Sequence, residues 1–379
     1  AVVINRVEAT AVSNDPAQGQ YAVNVSDAAG TFTVQCRSIV NATGVWVDRV
    51  LGLSSSPDDS STHRDSIRPA KGVHVPVPKD KRSLFLVPWG PLPDGTFTHT
   101  FVGTTDTEYA GSLDDPQCTK DDVEYILRAV NNASSTHVTA HDVVGSWAGL
   151  RPLVAPTDGD PSTTNTRTAD LSRRHSIRVS PPGLVTVTGG KLTTYRAMAQ
   201  DAVDALGPIL GIRMGLWSRH RCRTRTWRIH GSGRRRPLPL EPSLAQHLWS
   251  RHGTDSTFIA DLIVADPALA EPLVPGLAYV RAEVVWAVRH EMAMTLDDVL
   301  ARRTRVILFD RQGALAAAPE VARLMAPFLG WNEARIRSEI DKFTSLCDHE
   351  AVCNELSDAA IGSADQHIIE RGFSGSLDR

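Results

Sequence analysis

The chain has 379 residues, 41% of them hydrophobic and 22% charged, with a formal net charge of -3. That balance describes an ordinary globular protein of about two domains and excludes one that is broadly basic and built to coat nucleic acid. No apolar run approaches the ~20 residues that span a bilayer, and five scattered cysteines (Cys36, Cys118, Cys222, Cys347, Cys353) suit reduced thiols in the cytoplasm better than a disulfide framework.

Residues 1–48 alternate as β-structure, with AVVINRVEATAV, YAVNVSD and GTFTVQC read as strands and a turn at Asp27-Ala-Ala-Gly30. An apolar strand then runs to Gly44. Strand-like pieces recur in HVPVP, SLFLVPWG and GTFTHTFVGTTD, and TKDDVEYILRAVNN is predicted as a helix capped by Thr119. VVGSWAGLRPLV leads into a polar loop, after which IRVSPPGLVTVTGG returns to strands. Beyond residue 243 the periodicity turns helical, through SLAQHLWSRHG, STFIADLIVAD, VRAEVVWAVRHEMA, LDDVLARRTRV, PEVARLMAPFLG and NEARIRSEIDKFTSLCDHEAV. The expected organisation is an α/β domain over 1–206, an Arg-rich linker over 207–242, an all-α domain over 243–361 and a tail over 362–379. Residues 211–237 hold nine arginines and no acidic residue. They fit a solvated linker, a basic patch for nucleic acid or anionic lipid, or a stretch translated out of frame.

The chemistry concentrates in TVTGGKLTTYRAMAQDAV, residues 186–203. A phosphate loop needs a glycine five residues before its Gly-Lys pair, and Val185 stands there, so that reading fails. Gly231-Ser-Gly233 lacks both the third glycine and the preceding strand of a dinucleotide fingerprint. What survives is a glycine pair that lets a flat ligand approach the backbone at a helix start, with Lys191 beside it, or a plain turn. Asn41-Ala-Thr-Gly44 and Gly103-Thr-Thr-Asp106 suit a similar close approach. Arg151, in an apolar GLRPL run, needs an anionic partner, either a protein carboxylate or a ligand phosphate. His74 is an acid/base or a packed strand histidine. Cys347, His349 and Cys353 match no common metal spacing, so no metal is expected.

Taken in order, NATGVWVD, KGVHVPVP, LFLVPWG, FVGTTDTEYAG, GSWAGLRPL and VTGGKLTTYRAMAQDA resemble the FAD-dependent glycerol-3-phosphate dehydrogenases, and HEMAMTLDDVLARRTR is similar to the hallmark of their C-terminal helical domain. The resemblance covers about 1–206 and 243–350. It implies a two-dinucleotide-binding-type FAD/substrate domain with mixed sheets followed by an all-α domain. It also implies oxidation of sn-glycerol 3-phosphate to dihydroxyacetone phosphate, with FAD reduced and electrons passed to quinone at the membrane surface. Arg151 and Arg173 are then expected to bind the phosphate, with Arg167 and Arg174 as alternates for the second. Lys191 neutralises charge near substrate and flavin, and His74 assists proton removal. Gly189, Gly190 and Leu192 approach the flavin ring, while Asn41, Thr43 and Gly44 line the cofactor's path.

The sequence departs from the family in lacking the opening βαβ unit with G-x-G-x-x-G that seats the FAD pyrophosphate. The expectation is a truncated chain, inactive and unable to retain FAD alone. Peripheral contact with the cytoplasmic membrane face and a homodimer are further expectations. Two other readings stay open: a flavoenzyme acting on amino acids or 2-hydroxy acids, and a non-catalytic remnant binding through its basic segment.

Overall fold

The computed structural model describes residues 2–15, 20–53, 67–78, 87–91, 97–133, 137–155, 174–180, 183–211 and 222–355. The first part is mixed α/β and the part after residue 242 is helical, as the pattern predicts.

β1 (Glu8–Asp15), β2 (Gln20–Asp27) and β3 (Gly30–Cys36) form an antiparallel meander. The β2–β3 turn closes because the Asp27 carboxylate accepts from the Ala29 and Gly30 N–H groups at 2.8 and 3.1 Å. Residues 2–7, expected to be strand, are not. β4 (Ile39–Asn41) stops short of Gly44, and VWVD enters a 3₁₀ turn (Gly44–Trp46) and the short helix α1 (Val47–Gly52).

A five-stranded sheet is built on β5 (Ile67–Pro78), a twelve-residue strand. Its lower half pairs with β8 (Thr107–Glu108), its upper half with β7 (Phe97–Gly103), and its first two thirds, Ile67 to His74, with β9 (Trp147–Val154). β6 (Val87–Pro91) extends β7. Val73, Val75 and Val77 alternate onto one face of β5 and are fully buried with Val102, Val123, Ile126 and Val138. Each such side chain contributes about 1.5–3 kcal/mol through burial. Val123 and Ile126 come from α2 (Lys120–Ala133), whose start is a reciprocal cap in which Thr119 Oγ1 accepts from the Asp122 N–H and the Asp122 carboxylate accepts from the Thr119 N–H. On the same side the buried Lys71 ammonium meets the Asp122 carboxylate at 2.7 Å.

A third sheet has the order β10 (Ser176–Ser180), β11 (Leu184–Thr188), β4. β11 runs parallel to β4 and feeds α3 (Tyr195–Ile209) through the Gly189-Gly190 corner. Ala202 of α3 is buried as its spacing predicts, but Val203 is exposed, because the packed stripe is narrower than the apolar run.

The helical domain holds α4 (Pro242–His252), α5 (Ser256–Ala265), α6 (Arg281–His290), α7 (Val306–Phe309), α8 (Arg311–Leu329) and α9 (Glu333–Cys353). Two sequence readings change here. LDDVLARRTRV becomes a π-helical segment (Asp298–Arg303) and a separate α7, parted at Arg305, whose φ is 60°. PEVARLMAPFLG is only the second half of α8, which carries Pro319 in its interior. The proline is tolerated because Ala314, Ala317, Ala318, Val321 and Ala322 bury one face in the core, and packing outweighs the missing hydrogen bond. The described part of the Arg-rich segment is tied to the α4–α5 turn, with Gly231 O accepting from the Thr254 N–H at 2.9 Å and His230 pairing with Asp255. Residues 212–221 and 362–379 lie outside the described residues.

Candidate active site

Side chains two apart on a strand share a face. On β5, Gly72 and His74 therefore look away from the valine core. The register sets His74 between Gly103 of β7 and Trp147 of β9, Gly72 opposite Gly149, and Ala70 opposite Arg151. One face of the sheet thus carries two chemically active side chains on a floor of glycines. The absence of side chains at Gly72 and Gly103 is required. A Cβ on Gly72 would fall 2.6 Å from Arg151 Cζ, and one on Gly103 would fall 2.8 Å from His74 Cγ.

The sequence left open whether Arg151 serves a protein carboxylate or a ligand. Its Nη2 donates to Thr104 Oγ1 at 3.0 Å and to the Thr105 carbonyl at 3.1 Å. Nη1 is buried, makes no hydrogen bond, and lies 3.6 Å from Asp106 Oδ1. The 104–106 loop therefore orients this cation, and Nη1, ion-paired with Asp106 but making no hydrogen bond, keeps a donor for an anion. His74 stacks on Trp147 with ring centroids 4.9 Å apart and meets the Phe101 edge at 5.2 Å. Burial, assisted by the positive charge of Arg151, lowers its pKa below the usual histidine value, so the ring is neutral near pH 7. Its Nδ1 is buried without a hydrogen-bond partner. A neutral imidazole beside an oriented guanidinium is equipped to take a proton from a hydroxyl on an anionic substrate.

The second half of the site is the corner after β11. Gly189 and Gly190 have φ of 67° and 86°, the left-handed region that favours glycine. Space also demands glycine. A Cβ on Gly189 would sit 2.6 Å from the Arg174 carbonyl oxygen and 2.8 Å from Val154 Cγ2, and one on Gly190 would sit 2.6 Å from Met198. Val154 ends the strand that bears Arg151, so the corner is packed directly against it. The 3₁₀ turn Leu192–Thr194 then opens α3, and the first N–H groups of such a start have no partner within the helix.

The first 204 residues match the family model described as FAD dependent oxidoreductase, and residues 197–336 match the C-terminal domain of alpha-glycerophosphate oxidase. The chain belongs to the FAD-dependent oxidoreductases. Among curated relatives, this oxidoreductase is 33% identical over 365 residues to glycerol-3-phosphate dehydrogenase 2 of Mycobacterium tuberculosis, covering 89% of this chain and 58% of the relative. It is 34% identical over 341 residues to glycerol-3-phosphate dehydrogenase of Mycobacterium leprae, covering 84% and 55%. The chain thus spans little more than half the length of these relatives. A solved structure of the Bacillus halodurans glycerol-3-phosphate dehydrogenase complexed with FAD superposes with a TM-score of 0.65 at 27% identity, over 92% of this chain and 68% of that one.

FAD is the cofactor of this family, and the oxidoreductase has features that fit it. Gly44 has φ 64°, and a Cβ there would meet nothing within 4 Å, so its backbone faces open space. Gly189, Gly190 and the exposed Leu192 follow β11, which runs parallel beside β4, so both glycine turns leave the same end of that sheet. Asn41 differs from its expectation. Only 1% exposed, it donates to the Val47 carbonyl at 2.9 Å and accepts from the Thr43 hydroxyl at 2.7 Å, so its side chain shapes the turn instead of lining a cofactor path. Thr43 spends its hydroxyl on the same turn.

Of the proposed catalytic and substrate residues, the oxidoreductase brings Arg151 and His74 together on one face, and Lys191 stands exposed at the glycine corner. Arg173 and its alternate Arg167 lie outside the described residues, while Arg174 is exposed and gives its carbonyl to the packing of Gly189. The Gly103–Asp106 turn, expected to approach a cofactor, holds Arg151 and makes room for His74. Sequence reasoning missed Gly72, Trp147 and Phe101. The period-two spacing of Gly72 with His74, and of Trp147 and Gly149 with Arg151, was the available signal. The helical domain closes the far end of this face, where Phe309 packs against His99 of β7 at 5.0 Å. Gly145 lets the two domains meet at backbone distance, since a Cβ there would lie 2.8 Å from the Leu308 carbonyl oxygen.

Proposed function

We propose that the chain carries the substrate half of an FAD-dependent oxidation of sn-glycerol 3-phosphate to dihydroxyacetone phosphate. The observation that carries this reading is the Arg151–His74 pair, a partly exposed cation whose Nη1 makes no hydrogen bond, beside a neutral imidazole whose Nδ1 lacks a hydrogen-bond partner. Arg151, with Lys191, would hold the phosphate dianion. His74 would accept the proton of the C2 hydroxyl as the hydride leaves C2. Bound FAD would supply the hydride acceptor. Gly44, Gly189, Gly190 and Leu192 would hold it through their backbones, and the helical domain would keep water from one end of the face. Quinone as final acceptor and peripheral contact with a membrane surface rest on the resemblance alone. Among the described residues no helix is long and apolar enough to cross a membrane.

The test supplies FAD to the purified chain without oxygen and follows flavin absorbance after substrate is added. With FAD kept in excess, bleaching by glycerol 3-phosphate is expected, whereas the inactive chain expected from the sequence would give none. Bleaching by 2-hydroxy acids or amino acids, with none by glycerol 3-phosphate, overturns the assignment.

A further inference from the structure

We propose that Thr105 is a positioning residue that holds Arg151 ready for phosphate; the proposal rests on the reading of Arg151 as the phosphate ligand. The edge of β5 that pairs with β7 and β8 has a gap. The β7 ladder ends at His74 opposite Gly103, and the β8 ladder begins at Lys71 opposite Thr107. Residues 104–106 pass opposite Gly72 and Val73 within that gap. Val73 is fully buried, so its N–H needs an acceptor. Thr105 Oγ1 is that acceptor at 3.0 Å, and the same hydroxyl donates to the Lys71 carbonyl at 3.5 Å. A single side chain therefore replaces the missing rung of the sheet.

The loop anchored this way is the one that orients Arg151. The Thr105 carbonyl and the Thr104 hydroxyl both accept from Nη2. With Nη2 held by these two acceptors, the guanidinium lies across Gly72, and Nη1 is left making no hydrogen bond, 3.6 Å from Asp106 Oδ1. Thr105 is 1% exposed, so solvent does not reach the Val73 N–H while the side chain is in place. Among substitutions only serine retains an oxygen that accepts and donates at once. Valine keeps the shape and leaves the N–H unsatisfied, which moves the loop. Alanine leaves room for a water in place of the hydroxyl, which preserves folding while loosening the loop.

The experiment titrates glycerol 3-phosphate into the full chain by calorimetry, with folding followed by circular dichroism and melting. Thr105→Val and Thr105→Ala are expected to raise Kd about tenfold, roughly 1.4 kcal/mol, and Thr105→Ser to stay within threefold of the parent. In an Arg151→Gln background the Thr105→Val change is expected to cost nothing further, because its effect runs through the arginine. As a purely structural control, Asn131→Ala removes a side-chain bridge to the Val138 backbone elsewhere in the domain. It should lower the melting temperature and leave Kd unchanged. Folded Thr105→Ala protein that binds like the parent, or an equal loss from Thr105→Val with and without Arg151, overturns the proposal. Should Thr105→Val not fold, the alanine variant decides. No binding by the parent chain overturns instead the phosphate reading beneath it.

Discussion

Arg151 lies across Gly72, with its guanidinium occupying the space a side chain at that position would fill. The two residues sit on neighbouring strands, offset by one pleat, and together they turn a flat sheet face into a cation cradle. Because the atom in the way is the far end of a flexible side chain, Gly72→Ala is expected to fold and to push Arg151 off its Thr104 and Thr105 acceptors. Affinity for glycerol 3-phosphate should fall at least tenfold while the melting temperature moves by only a few degrees. Calorimetric titration beside a thermal melt checks both halves of that statement.

His74 supplies a pH-dependent prediction. Burial first and the Arg151 charge second lower its pKa from the usual histidine value. A group serving as a base works when neutral, so the acid limb of the activity profile should fall below pH 6.5. Replacing Arg151 by Gln removes the second cause and should move the His74 titration upward. An NMR titration of the ring in each protein reads this directly. No upward movement would mean the two side chains do not share a field.

The glycines of the two turns proposed to hold FAD should behave differently. Gly189→Ala meets the Arg174 carbonyl, which is backbone and cannot swing aside, and it also carries the cost of a left-handed residue, about 1–2 kcal/mol. It should lower the melting temperature strongly. Gly44→Ala meets only open space, so it should cost little more than the left-handed conformation, and its effect should show in retention of flavin absorbance after gel filtration.

In the helical domain, Glu283 is the centre of a buried charge network. His247 and His252 each lie 3.0 Å from its carboxylate, Arg251 lies 3.3 Å away, and the Val280 N–H donates to it at 2.9 Å. Burial raises its pKa, but hydrogen bonds from the two histidines outweigh that and hold it well below the usual carboxylate range. The stability it contributes is therefore present above the unfolded glutamate pKa and lost as pH falls below it. Glu283→Ala leaves three side chains and the Val280 N–H around an empty place and should cost about 3–5 kcal/mol by urea unfolding.

Glu350 has the opposite sign. Burial, with the nearby charges of Asp115 and Asp297, raises its pKa to about 7 despite the Arg311 guanidinium 3.4 Å away. The folded state then binds a proton that the unfolded state has released, so stability should decline as pH rises from about 4.5 to 7 and level off above. Glu350→Gln should flatten that decline in melts recorded across the range. A profile unchanged by the substitution would show that another group is responsible.

Much of the architecture was legible along the chain. The valine alternation on β5, the Asp27 turn, the Thr119 cap and the glycine corner after β11 are local signals, because backbone geometry and nearest-neighbour hydrogen bonds act within a few residues. Arg151 was visible as a cation in an apolar run, Lys191 as a cation beside a glycine pair at a helix start, and His74 as a histidine on a strand. The ends of elements were less legible: β4 stops at Asn41 because the Asn41 side chain closes the turn that follows it, and the Asp298–Arg303 segment becomes π-helical where its pattern called for a regular helix.

What the residues determined alone was therefore the type and order of elements, the family they belong to and the candidates for reactive groups. The tertiary structure alone decided which of those groups meet. Whether Arg151 faces Gly72 or the valine core, and whether Thr105 falls opposite Val73, depends on the register between strands far apart in the chain. Register is set by the pairing of whole strands and by packing on both faces, and a shift of one residue would have turned every one of these side chains to the other side.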